Sequence, residues 1–298
     1  MADAASPSTS APAPSATLPL LAAAASAASF IGMDAAVKLL AHRFDALQLA
    51  FLRFAAGSLF AVPLWLWFRP ALPSRASWPL HGLRCALLLL ALVTYFHALT
   101  VLPLVQAVAV GYTAPIFISL LAIVVLRERP SRWIWLALSL GMAGVGVSLW
   151  PELSRTHLPG SAQRIEGLLS VAFSVLCYSG VVILARHQAQ RDALWSILLV
   201  QNLLPTAVLA VPMAWRWQPL LASDTGTVLL MGLLATLGLM GITWAFTRVE
   251  ASRAAPLEYT GFVWATLLGW LLFGELPTIW TLASAGLIVS GCLLLLRR

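Results

Sequence analysis

Four ionisable residues lie inside runs that are otherwise apolar: Asp34, Lys38, Arg53 and Glu258. A charged side chain at the centre of a bilayer costs at least about 2.5 kcal/mol on insertion scales, so each must face protein or water rather than lipid. Asp34 and Lys38 are four residues apart, which puts them on one helical face with the acid ahead of the base. Two readings are open for them: an internal ion pair that fixes helix packing, or polar groups that line a central path. Arg53 either lines the same path or snorkels toward the interface near the start of its segment. Glu258, beside Tyr259-Thr260, could hold a cationic group of a substrate, exchange a proton, or pair with Arg253. Glu258 is the first choice for proton coupling and Asp34 the second.

Neutral groups suited to the same path are Tyr178, Gln201 with Asn202, and Trp264, whose ring would suit a planar or cationic ligand. Each has a plainer reading. Amides and hydroxyls in membrane helices also bond neighbouring helices, and tryptophans gather in interfacial belts. His97 reads as a packed, hydrogen-bonded residue.

The elements that carry these residues follow from composition. The chain has 298 residues, 60% hydrophobic and 10% charged, with a mean hydropathy of +0.90. A soluble domain holds roughly a quarter charged residues. A membrane span needs about 20 apolar residues, and ten segments qualify: Leu18–Ala41, Ala46–Phe68, Leu80–Val101, Leu104–Leu126, Trp133–Trp150, Ile165–Arg186, Ala193–Met213, Thr227–Thr247, Ala254–Gly274 and Thr278–Leu296. With the N-terminus inside, inner loops and tail carry twelve arginines and outer loops four. That asymmetry puts both termini in the cytoplasm. Residues 1–17 lack the positive start of a cleaved signal and read as a disordered tail.

The chain also resembles itself. At an offset of 147, Tyr112-Thr113 falls on Tyr259-Thr260, and Glu128, Pro130 and Trp133 fall on Glu275, Pro277 and Trp280. At 148, Lys38 falls on Arg186 and Arg53 on Gln201. Glu128 and Glu275 are expected to fix helix ends near the interface. Each repeat holds five spans, an odd number, so the copies are inverted, a recurring device of secondary transporters. The expected fold is all-α and integral to the membrane, ten helices as a five-plus-five inverted repeat. Its parts are residues 18–150, an inter-repeat loop at 151–164, and 165–298.

The motif Gly274-Glu275-Leu276-Pro277-Thr278-Ile279-Trp280, with Arg127-Glu128-Arg129-Pro130-Ser131-Arg132-Trp133 in the first repeat, resembles the EamA-type carriers of the drug/metabolite transporter superfamily. Arg127 departs from the glycine usual before this glutamate. The stretch Gly32–Lys38 with Gln48 and Arg53 is similar to a subgroup that includes S-adenosylmethionine and riboflavin importers. The resemblance covers Leu18 to Leu296. It implies a secondary transporter of a small polar or amphipathic metabolite in a bacterial inner membrane, working by alternating access, or an importer of a cofactor-like substrate.

The net charge of +7 is spread in ones, twos and threes between apolar runs, which excludes a nucleic-acid surface. Cys85, Cys177 and Cys292 have no metal spacing, and no metal or cofactor is expected. No catalytic motif or Walker phosphate loop is present, so no enzyme is expected. A membrane enzyme acting on lipid would need clustered His, Asp or Glu at one face, and a scaffold would need a large soluble part. The expected partners are a small-molecule substrate and the bilayer, with a homodimer left open.

Overall fold

The computed structural model describes residues 17–111, 113–153, 161–276 and 278–296. Expectations that fall on the tail before Thr17, on Tyr112, on 154–160, on Pro277 and on Arg297 and Arg298 lie outside the described residues. The described residues form α1 (Thr17–Leu40), α2 (Ala46–Phe68), α3 (Trp78–Val101), α4 (Leu104–Gly111), α5 (Ala114–Val125), α6 (Arg132–Leu153), α7 (Ser161–Ala189), α8 (Leu194–Arg216), α9 (Ala222–Phe246), α10 (Ala251–Ala254), a 3-10 segment (Ala255–Thr260), α11 (Gly261–Phe273) and α12 (Ile279–Leu296). Among them α1, α2, α3, α7, α8 and α9 are long and apolar enough to cross a membrane. Below, the near side is the one at which α1 begins, and the far side is the other.

Spans four and nine differ from the continuous helices read from the sequence. The fourth is split into α4 and α5, and the ninth into α10, the 3-10 segment and α11. Pro115 stands at the start of α5 and Pro256 at the start of the 3-10 segment. Proline has no N–H to continue a helix and fixes φ near the value a helix start needs. Broken backbone at membrane depth is tolerated where it faces protein or a cavity. The two breaks fall at matching places in the two halves.

The ends of α5 and α11 share one backbone motif. Arg127 and Gly274 follow them with φ of 56° and 66°, the left-handed conformation common just past a helix end. The Glu128 N–H then donates to Ala122 O at 3.1 Å, and the Glu275 N–H to Gly269 O at 3.0 Å. Residues 122, 127 and 128 are thus copied, 147 residues on, by 269, 274 and 275. The reversal throws each glutamate back toward the start of a helix in the other repeat. Glu275 Oε1 accepts from Leu104 N at 3.3 Å. Glu128 accepts from Ala251 N at 3.2 Å and Ser252 N at 3.1 Å. Both are anions on helix N-termini, whose leading N–H groups lack intrahelical partners.

In lipid, helices associate through close packing of small residues rather than by escape from water. The α1–α9 contact places Gly241 on Ser26 and Gly238 on Phe30, and the α6–α12 contact places Gly291 on Ala137. Helix α2 lies against α9 along a long stretch, with Gly232 at mid-helix set on the backbone of Ala56 and Gly57. The pair related to it by the repeat, α3 and α8, meets over a much shorter stretch.

Candidate functional site

A cavity of about 210 Å³ lies between the repeats. Its wall takes residues from α1, α2, α3, α4, α7, α8, α9 and the 3-10 segment. Many of them are related by the repeat. Offsets of 147 or 148 pair Phe30 with Tyr178, Asp34 with Val182, Arg53 with Gln201, Leu92 with Leu239, Tyr95 with Ile242 and Gly111 with Glu258, and all twelve line this one cavity. The cavity therefore sits on the pseudo-twofold relation between the halves.

Four of its polar residues form two acid–tyrosine pairs. Tyr95 Oη donates to Asp34 Oδ2 at 3.2 Å, and Tyr178 Oη donates to Glu258 Oε1 at 3.1 Å. Asp34 is buried on α1 and Glu258 is half-buried in the 3-10 segment, where the break in the ninth span turns it inward. Arg53, only 4% exposed, has its guanidinium 4.1 Å from the Phe54 ring. Its Nε and Nη1 are buried with no hydrogen-bond partner, as is Gln201 Oε1. Arg53 thus lies in the cavity wall and does not snorkel.

Two expected site residues lie elsewhere. Lys38 does not pair with Asp34. Its Nζ meets Glu275 Oε1 at 2.6 Å and donates to Leu102 O at 3.3 Å. One helical turn beyond Asp34, the lysine reaches the far rim, where the α11 end-motif holds a carboxylate within reach. Trp264 is 44% exposed on the outside of α11 and takes no part in the cavity. His97 pairs with Glu166 at 3.0 Å, both well exposed.

Sequence reading missed Tyr95 and Arg84. Tyr95 lies three helical positions from Leu92 and four from Ala91, and all three line the cavity. A tyrosine on the cavity face of a retained span was the available signal. Arg84 is one of the twelve arginines counted on the inner side, yet it is 4% exposed inside α3, with Nη1 donating to Gln188 Oε1 at 2.7 Å. Among the described residues no group of His, Cys, Asp and Glu could hold a metal ion.

At the near side Arg186 Nε stands 3.8 Å from Glu128 Oε1, and its guanidinium donates to Phe246 O. A solvent-facing hollow of about 460 Å³ surrounds Glu128 and Arg186. Lys38 with Glu275 and Arg186 with Glu128 are the same pair by the repeat, one on each side of the cavity, each joining one repeat to the other.

A mostly apolar cavity with a few convergent polar groups, set on the symmetry relation and flanked by related ion pairs at its two ends, is what a carrier needs. The EamA-like transporter family matches residues 15–150 and 165–297. The chain belongs to that family. This EamA-like protein is similar to a pseudopaline exporter of Pseudomonas aeruginosa, 29% identical over 271 residues, 90% of this chain and 92% of that one. It is 24% identical to an S-adenosylmethionine uptake transporter of Rickettsia felis, over 88% of this chain and 87% of that one. It is 27% identical to a riboflavin transporter of Rhizobium johnstonii, over 86% and 82%. A solved crystal structure superposes with a TM-score of 0.69 over 94% of this chain and 95% of that one, at 21% identity, and so shares the fold. The EamA-like chain is a multi-pass membrane protein and a metabolite transporter with a ten-helix, two-repeat fold.

Proposed function

We propose that the protein is a secondary carrier, not an enzyme, that moves a small zwitterionic metabolite across the bacterial inner membrane by alternating access, with both termini in the cytoplasm. The observation behind this reading is the cavity's complement of charges: two carboxyls, each already held by a tyrosine, and two guanidiniums, Arg84 held by Gln188 and Arg53 with two unfilled donors. Buried polar groups are rarely left unpaired, because an unmet donor loses its water without recompense. A substrate carboxylate would fill Arg53. An ammonium or sulfonium group would lie near Glu258 or Asp34, with Tyr178 and Gln201 as neutral contacts.

Alternating access is supported by the duplicated ion pairs. The far pair is short at 2.6 Å. The near pair is longer, at 3.8 Å. The inverted relation makes the opposite arrangement equally accessible to the same chain. The parts we assign are the tail at 1–17, repeats at 18–150 and 165–298, and a loop between them. Proton coupling falls first to Glu258, then to Asp34.

The relatives named for S-adenosylmethionine and riboflavin offer one charged and one uncharged probe. Purified protein in liposomes, with and without a pH gradient, is given radiolabelled S-adenosylmethionine, a panel of amino acids, and riboflavin. Saturable uptake of a zwitterion supports the reading. Transport of riboflavin with none of the charged probes would overturn the charge assignment in favour of a cofactor-like importer without paired ends.

A further inference from the structure

Arg84 and Arg53 face the same cavity from opposite depths. Arg84 is less than two turns into α3, which starts at Trp78 on the near side. That is roughly 9 Å from the near end at 1.5 Å per residue. Arg53 is two turns into α2, which starts at Ala46 on the far side, roughly 10 Å from the far end. In a hydrocarbon layer about 30 Å thick the backbone positions of the two arginines differ in depth by roughly 10 Å.

Arg84 is not neutralised where it sits. Among the described residues no carboxylate lies within ion-pair distance of it; the nearby Asp192 receives Ser77 Oγ and His81 Nε2, both at 3.1 Å. One nitrogen of Arg84 is occupied by Gln188 Oε1. Its Nε is buried without a partner, and so is Nε2 of Gln188, which is itself only 1% exposed. The unmet groups of this touching pair are both donors. They lack an acceptor, and a carboxylate or phosphate oxygen is the acceptor a guanidinium takes best. The repeat does not generate the site, since Met231 occupies the equivalent position in α9.

We propose that Arg84, held by Gln188, is a second anion-binding position on the transport path, which receives the acidic group of a substrate at the near end after it leaves Arg53. This rests on the carrier reading of the cavity. Two cationic stations of equal charge let an anion move through an apolar passage without being trapped at one deep well. Arg53 serves the far half and Arg84 the near half.

The test needs no substrate. Cys85, Cys177 and Cys292 are replaced by alanine, and Leu88→Cys is introduced, one turn from Arg84 on the cavity wall. Purified protein is treated with an anionic sulfonatoethyl methanethiosulfonate and with its cationic trimethylammonium counterpart. The ratio of the two rates is normalised to 2-mercaptoethanol. With Arg84 present the normalised ratio is expected above one. Arg84→Gln lowers it by about fivefold or more, as expected for loss of a nearby charge in a low-dielectric wall. Arg84→Lys and Arg53→Gln keep it. A ratio at or below one in the otherwise native cavity, no change in Arg84→Gln, or no reaction with either reagent overturns the proposal. If Arg84→Gln does not fold, the native ratio and that of Gln188→Leu, which keeps the charge, decide. A ratio that holds while no metabolite is carried would remove the carrier reading and leave the anion site standing.

Discussion

Lys38 and Glu275 meet at 2.6 Å across the two repeats on the far side, while their counterparts Arg186 and Glu128 stand 3.8 Å apart on the near side. Both pairs are partly buried, so removing one partner leaves the other charge poorly compensated. Glu275→Gln removes the charge but keeps an acceptor for Leu104 N–H. It is expected to open the far side in about fivefold more molecules, corresponding to roughly 1 kcal/mol. Labelling of a cysteine at Leu92 by an impermeant thiol reagent from each side of oriented vesicles reads this directly. The swap Lys38→Glu with Glu275→Lys restores the attraction but loses the Leu104 cap, so it rescues only part of the shift. Unchanged far-side labelling in Glu275→Gln would show that the pair does not hold the far side closed.

Arg127 and Gly274 occupy one left-handed position in two copies, at φ 56° and 66°. A side chain there costs about 1 kcal/mol, which glycine avoids. Arg127→Gly is expected to be neutral or to raise thermal stability in detergent slightly, and Gly274→Ala to lower it by about 1 kcal/mol. A loss on Arg127→Gly as large as that on Gly274→Ala would mean that the arginine side chain, rather than its backbone, fixes the turn.

Much of this was legible in the sequence. Apolar length gave the spans, and the offset of 147 gave both the inversion and the pairing of Glu128 with Glu275. The partners were not legible. Spacing of four put Asp34 and Lys38 on one face, which is correct for a helix. Spacing says nothing of depth, and the one-turn difference sent Lys38 to the rim and left Asp34 to Tyr95. The partner Glu275 is 237 positions away. Trp264 lies on the outward side of α11, 44% exposed, because residue type alone does not give the rotation of a helix that follows a break. Arg84 falls within the Leu80–Val101 span, and counting it with the inner-side arginines hides a buried guanidinium. The prolines at 115 and 256 were visible signals, since interrupted apolar segments in matching places of two halves mark a transport site.

Gly232 is where α9 lies closest to α2. A Cβ there would meet Ala56 C at 2.5 Å and Gly57 N at 2.7 Å, backbone atoms that cannot swing aside. Gly232→Ala is expected to cost about 1–3 kcal/mol as overpacking or to push α2 and α9 apart. Gly226→Ala, six residues earlier on the same helix with open space around it, should be neutral or slightly stabilising, because alanine favours helix. Thermal unfolding in detergent compares them. Equal stability of the two variants would show that α2 and α9 separate without cost.

Residues that the repeat copies are expected to differ in role from those it does not. Lys38, Arg186, Glu128 and Glu275 form one pair twice. Asp34, Glu258, Tyr95 and Tyr178 occur once, opposite Val182, Gly111, Ile242 and Phe30 in the same cavity wall. What moves the two halves must work in both directions and so survives duplication. What recognises one substrate need exist only once. Changes at the copied residues should therefore alter the maximal rate of every transported compound by a common factor. Changes at the single-copy residues should alter the ranking of compounds. Glu258→Gln is expected to fold and insert, to abolish accumulation driven by a pH gradient, and to weaken cationic substrates most. Tyr178→Phe, which removes the hydroxyl donating to Glu258, should shift that ranking more mildly, by about 1 kcal/mol for a single lost hydrogen bond. The measurement is competition between an amino acid and its amide or decarboxylated analogue in proteoliposomes. If Glu275→Gln reorders the compounds while Glu258→Gln slows all of them alike, the roles assigned to the two glutamates are reversed.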